Sequence, residues 1–308
     1  MARAVGSAVV IGQASGEQIA DLGEIKLAYE TFGDPADPTV LLVMGLGSQM
    51  IHWDPEFCQG IVDQGFHVVR FDNRDMGEST RIEVEVDVLG VLSASAAGGE
   101  VPPVPYLLSD MAADAVGLLD HLGVERVHLF GVSMGGMIAQ SIAIGHPERV
   151  ITLTSVMSTT GDPDVGAPTG EAMTALLSPP PQTREQLQDT AVHHAGVWGS
   201  PGLFDEARLR RAAGEAWDRG YNPAGTARQF AAILASGSRS EALAGLDIPT
   251  LVIHGTADNL VQPSGGDRTA EVIPDAKLLV VDGMGHDLAP PLWPQIIGAL
   301  ADHAGAHA

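Results

Sequence analysis

The 308-residue chain is poor in cysteine, in cations and in long apolar runs, and each shortage removes a class of protein. The lone Cys58 excludes an intrachain disulfide and a cysteine-ligated zinc, so nothing points to an oxidising compartment. Lys and Arg number 16 against 39 Asp and Glu, a formal charge of 16 − 39 = −23. Nucleic acid and anionic membrane surfaces both require a basic face, which this balance denies them. The same charge favours solubility and gives weak attraction for anionic substrates. No uninterrupted apolar run reaches the ~18 residues of a membrane span. Residues 1–12 carry one positive charge and an apolar stretch broken by Gly and Ser, with no small-residue cleavage site behind it, so no secretory signal is read there. A cytoplasmic, soluble protein without stable membrane association is expected. Gly45-Leu46-Gly47 lacks the third glycine of a dinucleotide fingerprint. The adjacent His193 and His194 would point apart on a helix, and no His-Glu-x-x-His occurs. Neither a cofactor nor a metal is expected.

What the chain does have is a 45% apolar fraction, enough for a substantial core. At ~150 residues per domain the length fits two domains, or one α/β unit with an insertion. Residues 24–32 alternate apolar and polar up to the turn Gly33-Asp34-Pro35. Compact β-branched runs follow at 39–44, 67–71, 126–130, 150–156, 249–253 and 276–281. Such runs, apolar on both faces, fit strands buried between helix layers in a parallel sheet. Helical patterns lie between them at 109–122, at 134–144 (apolar nearly all round) and at 290–304. This alternation predicts an α/β fold with a mostly parallel central sheet flanked by helices. Two stretches interrupt it. Residues 82–105, rich in Ser, Ala, Gly and Pro, read as a loop excursion, and Glu83 to Asp87 as a solvated acidic face. Residues 158–244 show helical patterns only, at 184–194, 205–219 and 226–236, and read as a helical cap over the sheet edge. The expected division is therefore a core of 1–157 and 245–308 with a cap of 158–244.

Gly131-Val132-Ser133-Met134-Gly135 matches Gly-x-Ser-x-Gly. Composition alone predicts about a quarter of a match per chain, so context has to carry the motif. The run before it is a strand and the run after it a buried helix, which puts Ser133 on a sharp turn with its hydroxyl exposed above the sheet. Crowding there admits only glycine at 131 and 135. A serine hydroxyl is nearly inert without a base. His286, in Gly283-Met284-Gly285-His286-Asp287 after the last strand, is the candidate; His254 is the rival. The base needs an orienting carboxylate. Asp258, directly after the 249–253 strand, is favoured over Asp267, Asp282 and Asp287. The backbone N–H of Met134, at a helix N-terminus, and that of Leu46, after the 39–44 strand, are the expected oxyanion donors. Six methionines (Met44, Met50, Met134, Met137, Met157 and Met284) fall near strand ends, as core or as an adaptable apolar lining.

Taken together, the segments 32–38, 41–45 and 70–77 with Ser79, the 131–136 elbow, 249–253 and 283–286 resemble the α/β-hydrolase superfamily. Within it they are most similar to the aclacinomycin methylesterase and mycobacterial lipolytic carboxylesterase branch. The order Ser133, Asp258, His286 is that of α/β-hydrolases. Met44 departs from the histidine many members carry before the glycine, although the branch resembled also has Met-Gly. The resemblance implies that Asp72-Asn73-Arg74 braces the site loops, with Arg74 and Asp75 structural. It implies a serine hydrolase that cleaves small, apolar carboxylic esters through an acyl-enzyme. Serine rather than aspartate at the elbow speaks against epoxide hydrolases and haloalkane dehalogenases. Thioesters, lactones, amides, cofactor-free perhydrolysis and a silent ligand-binding role stay open at this point.

Overall fold

Short β-branched runs become interior strands when helices can cover both of their faces, and the chain alternates accordingly. The structure, a computed structural model, describes residues 14–307, so the N-terminal run weighed above as a signal lies outside the described residues. In chain order the elements are β1 (Gln18–Asp21), β2 (Lys26–Phe32), β3 (Thr39–Val43), α1 (Pro55–Val62), β4 (His67–Phe71), α2 (Val88–Ala96) and α3 (Leu108–Leu122). Next come β5 (Val127–Val132), α4 (Met134–Gly145), β6 (Val150–Val156), α5 (Gly170–Leu176), α6 (Arg184–Trp198), α7 (Glu206–Gly220), α8 (Pro223–Ser236) and α9 (Ser240–Leu243). The chain closes with β7 (Thr250–Gly255), α10 (Ser264–Val272), β8 (Lys277–Val281) and α11 (Trp293–Gly305).

The strands form one sheet in the order β1-β2-β4-β3-β5-β6-β7-β8. β2 runs antiparallel to β1 and β4, and the remaining pairs are parallel. Strand β3 shows why the core has two halves. Val40 and Leu42 face Phe57 and Ile61 of α1 and Leu300 of α11, whereas Leu41 and Val43 face Met111 and Leu118 of α3 and Ile138 of α4. All four strand residues are fully buried, each worth about 1.5–3 kcal/mol by apolar burial. α3 stops where Gly123 adopts φ +68°, a left-handed cap open to glycine. The strand order reverses at β3, which lies between β4 and β5. The loops after β3 and β5 therefore leave the sheet side by side at its carboxyl edge, the crevice where open α/β sheets place ligands.

One expectation is corrected. Residues 82–105 are not wholly a loop, because α2 forms within them, with the Asp87 carboxylate accepting the Gly90 N–H at 2.9 Å. The nine-residue helix carries two each of Val, Leu, Ser and Ala and buries only Val91.

Between β6 and β7 the chain makes α5 to α9 and no strand. This insert leaves and rejoins the sheet at one stitched point. Arg239 N–H donates to Thr160 O (2.9 Å), and Asp162 accepts from the Ser238 and Ser240 hydroxyls and from Arg268 Nη1 (2.7 Å for the last two). Among the described residues no helix is long and apolar enough to cross a membrane.

Candidate active site

The elbow after β5 is built by what cannot fit there. Ser133 has φ +54° and ψ −122°, a region that costs a non-glycine residue about 1–3 kcal/mol. A Cβ at Gly131 would lie 2.2 Å from Gly135 O, and one at Gly135 would lie 2.0 Å from Val43 O. Only glycine permits that approach of α4 to β3. Neighbouring chain holds the strained residue in place: Ser133 N–H donates to Val156 O (2.9 Å), and the Ser158 hydroxyl donates to Ser133 O (2.8 Å). Ser133 occupies the N-cap position of α4, yet its hydroxyl makes no capping bond. It faces His286 instead.

Ser133 Oγ lies 2.9 Å from His286 Nε2, and His286 Nδ1 lies 2.7 Å from Asp258 Oδ2. A carboxylate only accepts, so Nδ1 carries the proton and Nε2 is free to accept the serine hydroxyl. The Asp258 side chain is fully buried and its Oδ1 accepts the Leu260 and Val261 N–H groups, both at 2.9 Å. Burial works to raise this carboxyl. The charge and hydrogen bonds of His286 and His254 outweigh it and hold Asp258 well below the usual carboxylate range. The acid and base loops are joined directly, since Ala257 N–H donates to Met284 O (2.9 Å) and Thr256 N–H to Val281 O (3.1 Å).

The structure separates the rivals from this line. His254 lies near the same Asp258 oxygen as His286 but farther off (Nε2 to Oδ2, 3.4 Å), bonds Val261 O at 2.8 Å and has no hydrogen bond to Ser133. Asp282 accepts the Thr256 hydroxyl at 3.1 Å, Asp287 accepts from Ser200, and Asp267 sits in the first turn of α10.

Met134 follows the serine directly, and Leu46 belongs to the loop that passes beside it. A Cβ at Gly45 would meet Ser133 Cβ at 3.3 Å, so the loop after β3 passes directly beside the elbow. Among the described residues neither the Leu46 N–H nor the Met134 N–H has an acceptor. Two unpartnered amides beside a serine, one of them at a helix N-terminus, suit a developing negative charge.

The Asp72-Asn73-Arg74 segment is tied to these loops. Asn73 Nδ2 donates to Met44 O (3.0 Å), and buried Asp72 accepts the Met50 N–H (2.6 Å) beside Arg219 (2.5 Å). Arg74 forks onto Asp114 at 2.6 and 2.7 Å. Asp75 takes Arg228 at 2.7 and 2.9 Å together with the Tyr106 hydroxyl at 2.7 Å. The six methionines are all buried, at 7% exposure or less.

Sequence reasoning overlooked the residues through which the insert grips the site. Buried Gln229 of α8 accepts the Gly47 N–H and donates to Arg74 O, both at 2.9 Å. Asn259, next to the acid, donates to Val197 O at 3.1 Å. Trp198 and Ser200 reach the base loop. No local motif marks any of them, because each acts through a contact between segments far apart in the chain.

Comparison with known proteins agrees with the fold. The α/β hydrolase fold family matches residues 38–289. Rhodomycin D methylesterase of Streptomyces peucetius is 28% identical, over 92% of this chain and 96% of its own. 3-Oxoadipate enol-lactonase 2 of Acinetobacter baylyi is 26% identical over 84% and 86%. Among solved structures, a hydrolase from Pseudomonas aeruginosa superposes with a TM-score of 0.70 at 25% identity, covering 94% of this chain and 99% of that one. With a match across most of its length, this chain belongs to the α/β hydrolase fold family.

Proposed function

We propose that the protein is a serine hydrolase that cleaves carboxylic esters of small apolar molecules through an acyl-enzyme, without a cofactor. The observation that carries this reading is the continuous line from Asp258 Oδ2 through both nitrogens of His286 to Ser133 Oγ, at 2.7 and 2.9 Å. Ser133 Oγ attacks the ester carbonyl carbon while His286 Nε2 takes its proton, and Asp258 stabilises the imidazolium. The Leu46 and Met134 N–H groups receive the oxyanion. As the tetrahedral intermediate collapses, His286 gives the proton to the departing alcohol. Water then attacks the acyl-serine, His286 takes a proton from it, and the serine leaves with that proton as the acid is released. In this reading residues 158–244 act as a cap on a core formed by 1–157 and 245–308, and the insert's contacts with the loops after β3, β7 and β8 support that role. The methylesterase among the relatives supports an ester as the bond cleaved. A lactone is a cyclic ester opened by the same attack, and the enol-lactonase relative supports testing lactones beside open-chain esters.

Purified protein is expected to hydrolyse a short-chain p-nitrophenyl ester and to be labelled by a fluorophosphonate. Ser133→Ala should abolish labelling and lower kcat/KM by at least ~10³. Undiminished turnover in that variant would end the proposal.

A further inference from the structure

Three consecutive residues of the base loop, Gly285 to Asp287, are held by Trp198 at the end of α6 and Ser200 just after it, in the insert. The His286 N–H donates to Trp198 O at 2.6 Å. The Gly285 N–H donates to the Ser200 hydroxyl at 2.9 Å, and that hydroxyl donates to Asp287 Oδ1, which also accepts the Ser200 N–H at 3.1 Å. The directions are fixed by chemistry. A carboxylate can only accept, so the hydroxyl proton points at Asp287 and a lone pair is left for the Gly285 amide. Ser200 is fully buried, so neither bond is exchanged for water. The approach also requires bare backbone. A Cβ at Gly285 would stand 2.3 Å from the Gly199 carbonyl carbon and 2.5 Å from Trp198 O.

We propose that Ser200 and Asp287 form a latch by which the insert positions the His286 imidazole, so that these two are positioning residues for the reaction and the base is in line only while the end of α6 is docked. The inference rests on His286 being the base of the proposed esterase. The bonds to Ser200 bracket His286 at the preceding and following residues, and the bond to Trp198 fixes His286 itself. With two successive backbone N–H groups and the neighbouring Asp287 carboxylate held, the ring has little freedom beyond its own side-chain torsions, and Asp258 Oδ2 on one nitrogen and Ser133 Oγ on the other select among those. The bonds made by Ser200 and Asp287 join only the end of the insert helix region to the base loop, and none of them involves Ser133, Leu46 or Met134. Loosening them should therefore affect the chemical step rather than substrate affinity. It follows that a substrate too large to fit beneath a docked α6 would be turned over slowly even if bound well.

The test compares Ser200→Ala, Asp287→Ala and Asp287→Asn with the wild type on one neutral p-nitrophenyl ester, with the downfield ¹H NMR resonance of the His286 Nδ1 proton as a readout independent of turnover. Ser200→Ala and Asp287→Ala should lower kcat about tenfold or more while KM stays within about twofold, since small misplacement of a catalytic group is expressed in kcat. Asp287→Asn keeps an acceptor oxygen for the Ser200 hydroxyl and should recover most of that loss. The downfield proton should broaden or disappear in both alanine variants and persist in Asp287→Asn. Asp287 is only part-buried, so its substitution tests the latch even where the buried Ser200→Ala impairs folding. Wild-type kcat and an unchanged resonance in Asp287→Ala would overturn the latch. Should Ser133→Ala retain activity, the esterase reading falls, while the resonance still reports whether the latch holds the imidazole on Asp258.

Discussion

A single amide side chain illustrates how much of this site depends on groups that never meet a substrate. Gln229 is fully buried in α8, and its two polar atoms hold Gly47 N–H and Arg74 O, binding the loop proposed to supply the Leu46 donor to the segment after β4. Gln229→Leu keeps the volume but leaves a part-buried donor and a part-buried acceptor without their partner, at a cost of up to about 1–3 kcal/mol each. The loop can satisfy them only by moving, and the Leu46 N–H moves with it. Ester turnover in Gln229→Leu is expected to fall about 10–100-fold in kcat with KM little altered, as when an oxyanion donor is displaced. Steady-state kinetics decide it, and an unchanged kcat would remove Gln229 from the positioning set. The contrast with Ser133 explains what could be read from the sequence. The elbow is legible because its backbone crowding is local: Gly131 and Gly135 are demanded by atoms of the same turn and of β3. Asp258 and His286 are legible because each follows a recognisable strand. Gln229 sits within an ordinary helix and Ser200 in the short loop after α6, and their partners lie more than 80 residues away in the chain.

At the level of elements, the interior strands and the covering helices α3, α4 and α11 declared themselves through apolar periodicity, whereas the short covering helix α1 and the elements with little buried surface were missed. β1 has four residues with only Ala20 buried, and α2 buries only Val91, so neither offers a pattern to detect. The insert was recognisable as helical, but its attachment was not, because that depends on Asp162 meeting Ser238, Ser240 and Arg268 from distant positions. This attachment gives a prediction with a definite sign. Burial acts to raise the Asp162 carboxyl, but hydrogen bonds from Ser238, Ser240, Arg268 and Thr160 bring it down to about 2. An unfolded aspartate titrates near ~3.9. The folded state thus binds fewer protons between those values, and the stabilisation is complete above about pH 4 and lost as pH falls through about 2. Urea midpoints followed by circular dichroism should decline for the wild type from about pH 4 downward. In Asp162→Asn they should start lower and decline less steeply over the same window. Asp258 also has a depressed pKa and contributes to the wild-type fall, and it remains in the variant, so the difference between the curves isolates the stitch. Parallel curves would show that Asp162 does not secure the insert.

For the molecule as a whole the dominant quantity is the formal charge of −23. It would matter little if cations were concentrated near the crevice, but those around it are already engaged. Arg219 pairs with Asp72, Arg228 with Asp75 and Arg74 with Asp114, and each of these carboxylates is at least nine-tenths buried. No unpaired guanidinium among these three is left to attract a carboxylate-bearing substrate, so the approach to Ser133 is governed by the net negative field. Two esters that differ by one methyl group and one charge, dimethyl succinate and the anion of monomethyl succinate, should separate this effect from fit through their salt dependence. At about 10 mM ionic strength, where the Debye length is ~30 Å, the anion should have a kcat/KM several-fold or more below that of the diester. Raising salt to about 150 mM shortens the Debye length to ~8 Å and should narrow the gap from the anion's side, leaving the neutral diester nearly unchanged. A gap that ignores salt would instead assign the discrimination to contacts made inside the crevice. The apolar, uncharged character proposed for the substrate would then originate in the shape of the covered site and not in the charge of the chain that surrounds it.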